Sequence, residues 1–271
     1  RQIGGRGRSH RRGVEPPDAM GSRGIGDELL DLLFPPRCQV CGRPGAQPLC
    51  ETCREEVLFI GGHCCALCGV PLRETQRASM LCADCRDGRD ISGARAVGLH
   101  TGSLREAVLA FKFRGRTRLA DPLAEMLVDA FRGQAEGKGL PLSECAALVP
   151  VPLHAQRRAW RGFDQAELLA ERMAPEVGLP VCTDAIERVR NTTPQTEMDR
   201  RERLTNVRDA FEARRVWRLR GRAVILIDDV FTTGATIQEC ARTLRAAGAV
   251  AVYALTVTRA VPSWHPAHFG G

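Results

Sequence analysis

Apolar positions along this chain fall into two regimes. Up to about residue 90 they are sparse and interrupted by Cys, Gly and Pro; from Ala94 onward short apolar runs alternate with stretches of helical period. In the first regime, 26–34 reads as a short amphipathic helix ended by Pro35 and Pro36, since proline cannot continue it. In the second, 94–100 predicts a strand, and Ser103 with Glu106 fits a capping box opening a helix that runs to Phe113 and stops at Gly115. A further helix is expected around 119–131. The apolar run 147–152 predicts a strand, followed after a basic loop by a helix capped by Asp164, with Glu167 three residues on. The run 223–229 is a continuous apolar strand ending in two acids; a Thr/Gly turn leads from it into a helix over 237–247. Gly248 closes that helix and 250–257 supplies the last strand. Strands alternating with helices predict an α/β domain on a parallel, Rossmann-like sheet, whose ligands gather at the carboxyl ends of the strands.

The expected organisation is a disordered basic segment over 1–25, a Cys-rich module over 26–90, the α/β domain over 91–260 and a tail over 261–271. Residues 1–20 are basic and Gly-rich without the apolar centre of a secretory signal, and Met20 stands just before the first helical pattern. No apolar stretch approaches the ~20 residues of a membrane helix, so the expectation is a cytoplasmic protein without membrane insertion.

Twelve cysteines change the picture. Without an export signal they point to metal rather than disulfides. Eight of them form four Cys-x-x-Cys knuckles: Cys38/Cys41, Cys50/Cys53, Cys65/Cys68 and Cys82/Cys85. Two intervening residues let a tight turn aim both sulfurs at one ion, and two knuckles close a tetrahedral shell that leaves no open position. Two structural zinc ions in a double zinc ribbon follow. Sequential pairing puts Cys38, Cys41, Cys50 and Cys53 on one ion and Cys65, Cys68, Cys82 and Cys85 on the other; interleaved pairing stays open. Gly42 and Gly69, just past two knuckles, suit the positive φ that turns backbone amides toward sulfur. His63 and Cys64 are read as bystanders, and Cys145, Cys182 and Cys240 as packing residues. Eight thiolates against two Zn²⁺ bring the formal charge from +7 to about +3, a weak footprint for nucleic acid.

The segment 227–236, Ile-Asp-Asp-Val-Phe-Thr-Thr-Gly-Ala-Thr, is the candidate site. A turn of small residues exposes amides and the helix after it adds its positive dipole end, an arrangement that takes a phosphate monoester. Val230, Phe231, Thr232, Thr233, Gly234, Ala235 and Thr236 make up the cradle: Thr232, Thr233 and Thr236 add hydroxyls, and Gly234 allows close approach. Thr236 capping the helix with Glu239 is the competing use. Asp228 and Asp229 stand where ribose hydroxyls would donate to them.

Four motifs occur in order: Val-Pro-Val-Pro at 149–152, Arg-Arg-Ala-Trp-Arg-Gly-Phe-Asp-Gln-Ala-Glu-Leu-Leu-Ala at 157–170, Thr-Pro-Gln-Thr to Asn-Val over 193–207, and the Asp-Asp loop. Together with the knuckles they resemble the ComF family of competence-related proteins. That resemblance implies a phosphoribosyltransferase-like fold and a ligand such as phosphoribosyl diphosphate or a related ribose phosphate, with Mg²⁺ bridging its oxygens. Asp228 and Asp229 become the catalytic acids. The Val-Pro-Val-Pro loop becomes the diphosphate side, where Arg157, Arg158, Arg161, Lys112 and Gln195 are the candidates. Lys112 equally suits the last turn of its helix through the dipole. Residues 191–206 resemble the lid over such sites, with Arg200, Arg201 and Arg203 beside it.

Two positions depart from related patterns: Asp164 stands where the family commonly has Asn, and Thr232 stands where 6-oxopurine enzymes carry an acid, which argues against purine salvage. The implied reaction transfers phosphoribosyl to a nitrogen acceptor. The rival is a non-catalytic nucleotide- or single-stranded-DNA-binding factor in DNA uptake, with the zinc ribbon docking DNA-uptake proteins.

Overall fold

The computed structural model describes residues 36–72, 80–86, 88–135, 139–192 and 205–261. The expected helix over 26–34, the segment 1–25, Gln195, the central part of the expected lid with Arg200, Arg201 and Arg203, and residues 262–271 lie outside these.

The Cys-rich part is one small turn used twice. The Gly42 amide donates to the Cys38 carbonyl at 3.0 Å and the Gly69 amide to the Cys65 carbonyl at 2.9 Å. Both glycines take positive φ, +77° and +66°, as the knuckle pattern predicts. A short helix, α1 (Glu51–Glu55), carries Cys53 inward. The connection between the two ribbons lies along a sheet edge: Phe59 bridges Gly98 in antiparallel fashion, and the Ile60 amide donates to the Val97 carbonyl at 2.9 Å.

The sheet contains β1 (Gly93–Leu99), β2 (Leu148–Pro150), β5 (Ala223–Phe231) and β6 (Ala251–Arg259) in the order β1-β6-β5-β2, all parallel. A separate antiparallel pair joins β3 (Ile186–Arg188) to β4 (Phe211–Ala213). The other α-helices described are α2 (Gly102–Phe113), α3 (Ala120–Ala135), α4 (Ala155–Arg161), α5 (Gln165–Val177) and α6 (Ala235–Ala246).

In β5 the run Val224, Ile225, Leu226 and Ile227 is fully buried because both faces of the strand are covered. Ile225 and Ile227 join a core with Leu123, Leu127 and Leu169; Val224 and Leu226 join another with Ile237, Cys240 and Leu244. Each such side chain contributes about 1.5–3 kcal/mol, which pins the register and therefore where the polar end of β5 emerges. Cys38, Leu49 and Cys53 of the first ribbon belong to the first core; Cys65, Cys68 and Cys85 of the second belong to the other.

Three local expectations change. Ser103 does not cap α2: Thr101 holds that place, and the buried Ser103 hydroxyl donates to the Cys53 carbonyl at 2.6 Å, tying the helix to the first ribbon. Glu106 pairs instead with Arg105 and Arg114. Thr236 and Glu239 do not form a box either, because α6 starts two positions earlier, at Ala235 behind Gly234 at φ +82°, and Glu239 accepts from the Asp209 amide at 2.7 Å and pairs with Arg242. Finally, the basic loop contains α4, which buries no residue and so shows no apolar stripe to read; it ends at Gly162 with φ +82°. Asp164 caps α5 as expected, taking the Ala166 and Glu167 amides at 3.0 and 3.3 Å.

Candidate functional site

At the carboxyl end of β5 the apolar run gives way to Asp228 and Asp229, whose side chains leave the strand on opposite faces. Asp229 turns toward α2, where Lys112 Nζ lies 2.8 Å from its Oδ1, and only 2% of its side chain is exposed. Its Oδ2 is buried with no partner among the described residues. Asp228 is half-buried and accepts the Asp229 amide at 2.8 Å. Burial first, and then the neighbouring Asp229 carboxylate, push its pKa well above the ordinary range, against the pull of Lys112. The dipole reading of Lys112 thus yields to a specific ion pair inside the site.

Around these acids lies a cavity of about 620 Å³. Val230, Thr232, Gly234, Ala235 and Thr236 of the predicted cradle line it. Phe231 is instead buried in the core. The Thr233 carbonyl accepts from Arg89 at 3.2 Å, and its hydroxyl accepts from the Ala235 amide at 3.4 Å.

The basic residues divide. Arg157 and Arg161 line the cavity: Arg157 donates to the Thr192 carbonyl, and Arg161 donates to the Gln165 side chain while lying 5.2 Å over the Phe113 ring. Arg158 turns away and pairs with Glu167 at 2.8 Å. Arg188, from β3, joins the lining, its side chain donating to the Thr192 hydroxyl. Burial lowers the pKa of all three lining guanidiniums, so an arriving anion relieves their desolvation.

Sequence reading missed several lining residues. His100 sits beside the acids, its Nδ1 2.9 Å from the Thr258 hydroxyl; burial and then Lys112 and Arg105 lower its pKa to about 4 and keep it neutral. Trp160 and Phe113 line the cavity while 74% and 57% exposed. Arg188 lies in a three-residue strand with no motif around it, and the two aromatics resemble ordinary surface or core positions until the fold brings them together. Asp164 explains its own departure from Asn: besides capping α5, its second oxygen accepts the Leu153 amide at 2.8 Å, anchoring the loop after β2.

The four-cysteine sets pair sequentially. Within each, the ligating sulfurs lie within 4.8 Å of one another. Nearest separations of 3.6 Å for Cys41 and Cys50, 3.9 Å for Cys38 and Cys53, and 3.6 Å for Cys68 and Cys82 suit one ion. A tetrahedron with metal–sulfur bonds of about 2.3 Å has edges of roughly 3.8 Å. The Cys50 and Cys82 amides each point at the first sulfur of their set, at 3.4 Å. Against a burial that opposes ionisation, amides of Cys41, Cys50 and Val40 hold the Cys38 thiol down at about 6, the state a metal needs. These two clusters fit two structural zinc ions. His63 and Cys64 are in neither.

Residues 29–86 match the double zinc ribbon domain family, and residues 164–263 match the phosphoribosyl transferase domain family. The chain is 31% identical over 221 residues to competence protein ComFC of Bacillus subtilis, covering 79% of this chain and 85% of that one. It is 31% identical over 230 residues to DNA utilization protein YhgH of Salmonella typhi, covering 82% and 96%. Competence protein F of Haemophilus influenzae is 28% identical over 216 residues, covering 78% and 90%.

Proposed function

The chain belongs to the ComF/YhgH family of proteins with a double zinc ribbon and a phosphoribosyltransferase domain, and from that premise we propose that its cavity binds the ribose 5-phosphate part of phosphoribosyl diphosphate. One observation carries the reading: an acid pair with Asp229 buried and Asp228 half-buried, and a helix-opening Thr/Gly loop, share one cavity with three guanidiniums, Arg188 buried and Arg157 and Arg161 half-buried. The amides and hydroxyls of 232–236 hold the 5-phosphate. Asp228 and Asp229 accept from the ribose hydroxyls, which gives Asp229 Oδ2 a partner where none of the described residues supplies one. Arg157, Arg161 and Arg188 face the diphosphate.

The hard oxygen donors of Asp228 and Asp229 suit a Mg²⁺ ion, which would supply positive charge against the diphosphate. On this reading the activity is transfer of the phosphoribosyl group to a nitrogen acceptor, with diphosphate leaving C1 of the ribose. Here the protein acts by positioning and charge stabilisation, with Lys112 orienting Asp229. The relatives' names link them to competence and DNA utilization, and we extend that setting to this chain.

Calorimetric titration of phosphoribosyl diphosphate into zinc-loaded protein, with and without Mg²⁺, tests the site. Saturable, Mg²⁺-dependent binding that disappears in the double variant Asp228→Asn, Asp229→Asn is expected; no heat in the wild type refutes the reading. Trp160, largely exposed at the cavity, favours a second use, base stacking of a nucleotide or single strand without catalysis. Single-strand binding with a steep salt dependence, in a protein giving no heat with phosphoribosyl diphosphate, marks that alternative.

A further inference from the structure

Arg259 ends β6 and is 7% exposed. Its Nε donates to the Cys68 carbonyl at 3.1 Å, and its Nη2 to Cys68 Sγ at 3.7 Å. Its Nη1 reaches the carbonyls of Phe231, at 3.1 Å, and of Thr232 and Ala260. The guanidinium also lies 4.5 Å over the Phe231 ring. Among the described residues no carboxylate pairs with it, so its one anionic neighbour is a ligand sulfur of the second four-cysteine cluster. A guanidinium stays charged, and burying it without a counter-charge is strongly unfavourable. Four thiolates around a divalent ion carry net negative charge, which is what makes this burial tolerable.

The other side of the guanidinium holds the phosphate loop. All peptide bonds described are trans, so in each the carbonyl and the next amide point in opposite directions. Arg259 turns the Phe231 and Thr232 carbonyls toward the second ribbon. Arg89, which also donates to the Asp84 carbonyl within that ribbon, turns the Thr233 carbonyl the same way. The amides of Thr232, Thr233 and Gly234 are thereby aimed away from the ribbon, and among the described residues they donate to nothing. Three consecutive free amides are an anion nest, and two arginines fixed on the second ribbon set their direction. Among the described residues the first ribbon has no such link to the loop; it is tied to α2 through Ser103 and to α3 through Arg54, which pairs with Glu125 at 3.1 Å.

We propose that Arg259 is a positioning residue that couples the second metal cluster, and not the first, to the ribose-phosphate loop, so that an intact cluster orients the loop and a bound ligand protects the cluster. This rests on the binding reading above. Coupling of two sites is reciprocal, which makes it measurable from the metal side.

Zinc release from the two-zinc protein to an excess of the chromogenic chelator 4-(2-pyridylazo)resorcinol is followed with and without phosphoribosyl diphosphate and Mg²⁺, after calorimetry has established binding. One release phase should slow by about fivefold or more and the other stay unchanged. In Cys41→Ser, which damages the first cluster, the protected phase should be the one that remains. Arg259→Lys keeps the charge but loses the fork: it should still bind two zinc ions, weaken ligand binding by about tenfold or more, and abolish the protection. Ligand binding with both phases unaltered, or protection of the first cluster instead, overturns the coupling. The wild-type experiment needs no variant to fold, and a wild type that binds no ligand overturns the binding reading and the coupling with it.

Discussion

Removing Lys112 leaves Asp229 buried without its cation. The pair is 2.8 Å long, with 20% of the lysine side chain and 2% of the aspartate side chain exposed, so solvent screens it little. Exposed pairs contribute up to about 1 kcal/mol, whereas breaking a buried one by removing a single partner costs about 3–5 kcal/mol. With the lysine end partly wet, Lys112→Ala should cost about 3 kcal/mol, the low end of the buried range. For a domain of this size that lowers the melting temperature by roughly 6–12 °C. Urea unfolding of zinc-loaded protein, read by tryptophan fluorescence, should be run on Lys112→Ala, Asp229→Asn and the double variant. Asn in place of Asp229 removes the orphaned charge, so the double variant should recover most of the loss, with a coupling energy of about 2 kcal/mol. A cost for Lys112→Ala below about 1 kcal/mol, or no recovery in the double variant, refutes the claim that the acid is held by this pair.

Three other outcomes follow from the same geometry. Asp228 has a folded-state pKa above its unfolded one, so the stability it contributes is complete below the ordinary carboxylate pKa and lost as pH rises through the raised value. Asp228→Asn should therefore weaken phosphoribosyl diphosphate binding yet melt a few degrees higher than wild type at pH 8, about 1 kcal/mol, with no advantage near pH 4; a pH-independent difference in thermal melts would contradict this. Gly234 sits at φ +82°, and a Cβ there would lie 2.5 Å from the Phe231 ring and 3.0 Å from Arg89, so Gly234→Ala should cost about 1–3 kcal/mol and at least about tenfold in ligand affinity by calorimetry. Trp160→Ala should weaken binding of adenosine 5′-monophosphate by about tenfold and spare ribose 5-phosphate, while Trp160→Phe restores it; equal losses for both ligands would show that the ring does not stack on the base.

Much of this molecule is legible from short-range pattern. Two-residue knuckle spacing is enough to define the four metal knuckles, because a turn that aims two sulfurs at one point is a local structure, but which knuckles share an ion is settled only by the sulfurs that the fold brings within 4.8 Å of one another. The buried Val224 to Ile227 run followed by two acids and a Thr/Gly turn likewise defines a strand end, a loop and a helix start in consecutive residues. Asp164 was readable as a cap because capping involves amides two and three positions on.

What the pattern could not decide is where side chains from distant elements meet. Ser103 and Glu106 had the spacing of a cap, but the Cys53 carbonyl competes for the serine hydroxyl, and only the fold brings that carbonyl 2.6 Å away. Lys112 had two plausible uses, and the packing of α2 against β1 and β6 brings its last turn to Asp229 at the end of β5. Arg188 and His100 carry no local signature, and Trp160, although inside the 157–170 motif, gives no sign there that it faces a ligand, since a cavity is assembled from elements far apart in sequence. Arg259 shows the limit most plainly: nothing around it marks it out, yet parallel pairing of β6 with β5 sets it between Cys68 and the Thr232 carbonyl. The sequence by itself determined the local chemistry, namely four two-thiolate knuckles, an acid-ended buried strand and a phosphate-type turn, because each depends on backbone geometry over a few residues. Tertiary structure alone decided which charges face which, because the energy of a buried ion depends on its spatial neighbours and on the water excluded around it.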